Sequence, residues 1–271
     1  MANPIAVISP TFATTLCIFH TVLYVGVLYL SPSTRPRAIV NPSDIERPND
    51  PNYIRLRSRA VTFATIVSLL ITLCVVKNAT GLSWFAAQKE MGLWPKVGLW
   101  GWLKEVGIVM GLVWWLFMGS LWEKFVVGEG WRWEELRRDW EKVRYTWAGW
   151  KNIVVGPVTE ELVFRAGMVP LHVLAGRNFG SIVWTTPLFF GIAHIHHLYE
   201  FYLRNPTRLT LGILGALFQF VYTTMFGWFA VFVFLRTGCI WNVILVHSFC
   251  NFIGLPTVGR IHNQHEGIVW G

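Results

Sequence analysis

The chain has 271 residues, 54% of them hydrophobic and 14% charged, with a formal net charge of +8. The length suits one substantial domain. A positive balance raises nucleic acid as a partner, but the basic residues gather in loops and not on a recognition helix or an aromatic-interleaved patch, which excludes that class and leaves a lipid bilayer.

Six stretches, 1–34, 60–76, 106–122, 178–199, 209–235 and 237–259, contain no Asp, Glu, Lys or Arg. Runs of about 17 or more such residues can cross a hydrocarbon core of about 30 Å as helices. With a further segment that carries charge, about seven spans are expected, and the fold class is an all-α polytopic transmembrane helical bundle. Many of the sixteen tryptophans sit at segment ends, as interface anchors do. Cys17, Cys74, Cys239 and Cys250 lack CxxC spacing and read as small core residues.

In chain order, the first span covers about 5–30, with no basic n-region to mark it as a cleavable signal. The loop that follows is rich in proline (Pro32, Pro36, Pro42, Pro48, Pro51), is expected to be irregular, and ends in Arg55, Arg57 and Arg59. A second span, 60–76, leads past a glycosylation sequon at Asn78 into a Trp-containing stretch expected to lie along the interface, before a third span at 106–122. Residues 123–150 form the most polar part, an amphipathic loop whose Trp133, Trp140 and Trp147 recur every seven residues and are expected to share one helical face. The catalytic core is expected at about 150–256, within a single domain 1–271.

Segment 151–175 is otherwise span-like but holds Glu160, Glu161 and Arg165. A charge near a helix centre costs about 2.5–3.5 kcal/mol, so this trio either glues helices together or serves chemistry. Glu161 and Arg165, at i and i+4, can pair, while Glu160 points about 100° away. A fifth span brings His194 with His196 and His197 behind it. The sixth is long and expected to tilt or bend near Gly227, and the seventh carries His247 and Asn251 at i and i+4.

Six Arg between 31 and 59 and seven Lys or Arg between 123 and 151 put those loops in the cytoplasm by the positive-inside rule. Glu160 then lies roughly 12–14 Å below the start of its segment. His194, His247 and Asn251 fall in the same cytoplasmic half. In such a cavity a desolvated Glu160 suits a general base acting on water, with His194 orienting the water. His247 and Asn251 offer two N–H donors for one oxyanion. A Glu/His/His zinc site remains an alternative, although no HExxH is present, and Cys250 lies on a rotated face. A proton or ion path in a transporter is a further alternative, without repeat halves to support it.

Four patterns in order, VTEELVFRAGMVP, FGIAHIHH, FQFVYTTMFGWFAVFVFLRTG and HSFCNFIG, resemble the type II CAAX prenyl endopeptidases, part of the wider CAAX-protease and bacteriocin-processing intramembrane family. The resemblance covers roughly 150–256. It implies a multi-pass endoplasmic reticulum protease, with its site open to the cytosol, that removes the last three residues of prenylated CAAX proteins such as Ras-type GTPases and needs no metal or other cofactor. By the same resemblance Glu160 and His194 activate water, His247 and Asn251 stabilise the oxyanion, and Glu161 with Arg165 supports them. Members of that family usually continue into another hydrophobic span, whereas this chain stops at Gly271 after GRIHNQHEG. An inactive prenyl-protein binding scaffold is the expectation that departure keeps open.

Overall fold

The computed structural model describes residues 6–122 and 133–254, so the polar run before Gly271 lies outside the described residues. All regular structure among the described residues is helical. Helix α1 (Pro10–Leu30) starts where the Ser9 side chain accepts from the Phe12 N–H. Its buried side chains Ala13, Cys17, His20, Thr21, Tyr24 and Leu28 follow helical spacing. Phe12, Ile18, Phe19 and Val22 point outward. An apolar outer face beside a partly polar inner one is the pattern of a helix solvated by lipid.

The expected loop is more ordered than proline content implied. Short α2 (Pro42–Glu46) is closed by the Asp44 carboxylate, which accepts from the Asn41 and Val40 N–H groups and is thereby held below the usual carboxylate range. Helix α3 (Pro51–Thr80) begins at Pro51, not near Ala60, so Arg55, Arg57 and Arg59 are helical. Proline at a first helical position gives up no needed hydrogen bond, and Asp50 caps the start. Gly81, at φ 70°, ends α3 by donating to the Lys77 carbonyl.

Helix α4 (Trp84–Glu90) carries the exposed Trp84 and Phe85. Then come α5 (Leu99–Leu116), which starts before its charge-free run, and α6 (Met118–Trp122). The polar stretch forms α7 (Trp133–Tyr145), but the helix stops at Thr146 and α8 (Trp147–Trp150) starts anew. The Thr146 side chain accepts from Gly149 N–H, so Trp147 lies on a separate helix and the seven-residue spacing does not define one face. Trp147 instead stacks under the Arg55 guanidinium at 5.2 Å.

Residues 151–174 are not an ordinary α-helix. Two π-helical turns, Lys151–Val155 and Leu162–Gly167, alternate with α9 (Gly156–Glu161) and α10 (Val169–Leu174). Each wide turn precedes a proline, Pro157 or Pro170. In a straight α-helix either ring would collide with the carbonyl four residues back, and a widened turn relieves that clash. After α11 (Phe179–Ala193), the chain breaks at His194 before α12 (His196–Arg204), where one span to Tyr199 was expected. The unbroken α13 (Leu209–Thr237) and α14 (Ile240–Ile253) complete the bundle.

Four of these helices, three of them α1, α3 and α5, are long and apolar enough to cross a membrane; the fourth, Pro206–Thr237, contains α13. The other three of the seven expected segments, which hold Glu160, His194 and His247, are shortened or interrupted. The polar site sits on the irregular elements and the uninterrupted spans enclose it.

Helices α11 and α13 approach closely where Gly227 faces Pro187: a methyl at Gly227 would lie 2.7 Å from Pro187 Cβ and 3.4 Å from Arg165 Nη2. Gly227 therefore serves packing of α13 on α11. Gly227→Ala is expected to cost about 1–3 kcal/mol of stability in thermal unfolding of the detergent-solubilised protein. Gly26→Ala, where nothing lies within 4 Å of the added methyl, serves as the control and is expected to leave stability unchanged.

Candidate active site

The irregular segment brings Glu161 and Arg165 together, with Arg165 Nη1 3.1 Å from Glu161 Oε1 and both side chains fully enclosed. The Arg165 guanidinium lies over the Phe190 ring at 4.4 Å, so α11 covers the pair. From α14, His247 Nδ1 approaches the same Glu161 oxygen at 2.6 Å. An ionised carboxylate only accepts, so Nδ1 carries the proton and His247 Nε2 faces the other way, 3.7 Å from Glu160 Oε2. Glu161 is therefore committed to two partners. Glu160 is not: its side chain is 22% exposed, against 0% for Glu161, and the His247 approach is too long for a direct hydrogen bond.

His194 belongs to the same neighbourhood. Its Nδ1–H donates to the Phe190 carbonyl at 2.7 Å, which fixes the tautomer and leaves Nε2 with a free lone pair. Its ring packs on Phe190 at 4.6 Å, and His247 meets the same ring edge-on at 6.2 Å. Both imidazoles thus pack on Phe190.

Asn251 is one turn beyond His247 but already has a partner: its Nδ2 donates to the Asn152 carbonyl at 2.9 Å. That acceptor exists because of Pro157. In the π-turn Gly156 N–H reaches back to Lys151, and the donor that would follow, for Asn152, falls on the proline nitrogen, which has no hydrogen. The expected convergence of His247 and Asn251 on one oxygen is thus joined by a bond between Asn251 and the main chain. The second hydrogen on Nδ2 remains.

Several supporting residues went unread in the sequence. Tyr24 of α1 donates to Thr159 Oγ1 at 2.9 Å, and Thr159 donates to the Val155 carbonyl, bracing the turn just before Glu160. Thr72 of α3 donates to the Gly167 carbonyl at 2.9 Å and accepts from His20 Nε2 at 3.1 Å, bracing the second wide turn after Arg165. The signal was present: Tyr24, His20 and Thr72 are polar residues on the inner faces of charge-free spans. Next to Asn251, an open apolar groove of about 410 Å³ is lined by Trp140, Ile153, Ser248, Phe249 and Phe252.

A helical membrane bundle that holds two glutamates, an arginine and an imidazole from separate elements in one partly enclosed cluster defines an integral-membrane protein with an ionisable group of side chains among its helices. Residues 142–253 match the family described as type II CAAX prenyl endopeptidase, Rce1-like. The probable CAAX prenyl protease 2 of Schizosaccharomyces pombe is 32% identical over 249 residues, 92% of this chain and 83% of that protein. CAAX prenyl protease 2 of Homo sapiens is 33% identical over 255 residues, 89% of this chain and 70% of the human one. That of Arabidopsis thaliana is 42% identical over 110 residues, 40% and 35% of the two chains. No solved structure gives a significant match. The chain belongs to the type II CAAX prenyl endopeptidase family.

Proposed function

We propose that the protein is a membrane endopeptidase that removes the C-terminal tripeptide of prenylated CAAX proteins, Ras-type GTPases among them, from the cytosolic face of the endoplasmic reticulum. The observation that carries this reading is the division of labour between adjacent glutamates: Glu161 gives its Oε1 to both Arg165 and His247, whereas Glu160 stands partly exposed beside His247 with no hydrogen bond of its own among the described residues. In the reaction, water adds to the carbonyl carbon of the prenylated cysteine while Glu160 accepts its proton. His194 Nε2 accepts a hydrogen bond from the water's other O–H, which stays on the oxygen, and so aligns it. The C–N bond then breaks, and Glu160 returns the proton to the leaving amine, so the carboxylate is regenerated.

His247 and Asn251 bear on the oxyanion. With Nδ1–H given to Glu161, His247 donates from Nε2 only as a doubly protonated imidazolium. Asn251 contributes the Nδ2 hydrogen not engaged by Asn152. The apolar groove beside Asn251 suits an isoprenoid chain, whose burial contributes about 0.8 kcal/mol per CH2.

The test is incubation of purified protein with a farnesylated CAAX peptide and quantification of released tripeptide. Asn251→Ala is expected to lower kcat about 10²–10³-fold, with a smaller effect on KM. Release unaffected by Asn251→Ala and His194→Ala removes those two residues from the mechanism. No release by the unaltered protein overturns the activity itself.

A further inference from the structure

Helix α12 carries a second cluster that the proposed hydrolysis leaves unused. His196, His197 and Glu200 each present one donor atom, all within 4.8 Å of one another. His197 Nδ1 is 3.1 Å from Glu200 Oε2, and His196 Nε2 is 3.9 Å from Glu200 Oε1. The two imidazoles stand 4.0 Å apart, centroid to centroid. Around a tetrahedral ion with metal–donor distances of about 2.0–2.2 Å, donors lie about 3.3–3.6 Å apart, and the two separations to Glu200 fall on either side of that range.

The surroundings have the features that orient metal ligands. His196 Nδ1–H donates to the Ala193 carbonyl at 2.6 Å, which fixes the tautomer and turns the Nε2 lone pair toward Glu200. That Nε2 is buried and has no hydrogen-bond partner among the described residues. A plain ion-pair cluster accounts for Glu200 and His197 but leaves the buried lone pair of His196 unexplained. Glu200 is steadied from behind by Arg57 Nη2 at 2.7 Å, and Arg57 is itself fixed by donating to Tyr53 Oη and the Thr34 carbonyl. A carboxylate held by a second group is the arrangement expected of a ligating one. The guanidinium charge opposes a cation, so the site is built for moderate affinity and not for a permanent structural ion.

We infer that His196, His197 and Glu200 form a binding site for a divalent transition-metal ion of the zinc type, distinct from the Glu160–His247 cluster. Two imidazoles and a carboxylate suit Zn2+ or Co2+, with a fourth position left for water. Binding replaces the His197–Glu200 hydrogen bond by two metal bonds and ties together the first turn of α12. His197 lies 6.0 Å from the His194 ring, so the bound ion stiffens the break between α11 and α12 on which His194 sits.

The experiment is a Co2+ titration of the chelator-treated, detergent-solubilised full chain, read by ligand-field absorption. The chain also contains His262 and His265, so both are replaced by alanine in the background protein. The expected result is absorption that saturates at one ion per chain, is displaced by Zn2+, and is accompanied by a rise in unfolding temperature. His196→Ala and Glu200→Gln are each expected to weaken binding by more than about 10-fold, while Glu160→Gln leaves the titration unchanged. Thermal unfolding of each variant without metal shows whether it is folded, and His197→Ala stands in for one that is not. Absence of saturable absorption overturns the inference. Absorption that survives His196→Ala but is lost in Glu160→Gln also overturns it and moves the metal to the hydrolytic cluster, which would separately undo the metal-free mechanism.

Discussion

Glu160→Gln is expected to reduce tripeptide release from a farnesylated peptide by about 10²–10⁴-fold in kcat while leaving the protein as stable as before. The substitution keeps shape and removes only the capacity to take a proton. Stability is expected to hold because Glu160 forms no hydrogen bond among the described residues and the ion-pair partner nearest to it there, His247, is 3.7 Å away. Removing a partly desolvated charge that lacks a close partner costs the fold little. The measurement pairs single-turnover release with thermal unfolding in the same detergent. A variant that cleaves within a few-fold of the parent rate removes Glu160 from the role of base, and one that fails to fold makes it a structural residue instead.

Its neighbour is expected to behave in the opposite way. Glu161→Ala strips the acceptor from two groups at once, Arg165 at 3.1 Å and His247 at 2.6 Å, and leaves a wholly enclosed guanidinium without its hydrogen-bonded counter-charge. Breaking a buried pair on one side costs about 3–5 kcal/mol. The partial shelter of Arg165 over Phe190 offsets only a fraction of that. Replacing both members, Glu161→Leu with Arg165→Met, is expected to restore most of the lost stability, since apolar residues of similar volume fill such a site at little net cost. It is not expected to restore cleavage, because His247 still lacks the carboxylate that holds its Nδ1 proton. Chemical or thermal unfolding of the parent, Glu161→Leu, Arg165→Met and the double variant closes a double-substitution cycle. Equal stability of Glu161→Ala and the parent would show that the pair bears no weight.

How far these residues were readable depends on the range of the forces that place them. The Glu161–Arg165 pair was legible because both groups ride on one helix and their spacing alone brings them together. The long apolar elements α1, α3 and α13 were legible as runs free of charge. The His247–Glu161 bond was not, since it joins residues 86 apart and depends on how α14 meets α9. The extent of α3 was not legible because a proline breaks a helix interior but initiates one at its first position, and Pro51 stands at the start. Trp147 was assigned to the wrong face because the Thr146 cap interrupts an otherwise regular period. Pro157 and Pro170 stood in plain view, but a proline announces only that the ladder must yield. Whether it yields as a kink or as a widened turn is decided by neighbours such as Thr72 and Tyr24.

The bond between Asn251 and Asn152 has a directional consequence. A carboxamide nitrogen carries two hydrogens splayed at a fixed angle in one plane, so anchoring the first determines where the second is aimed. The anchor is a carbonyl set free by an imino acid almost a hundred positions earlier in the chain. An atom that Pro157 lacks therefore governs the bearing of a donor on another helix, and under the proposed mechanism that donor is held on one bearing instead of sweeping a cone.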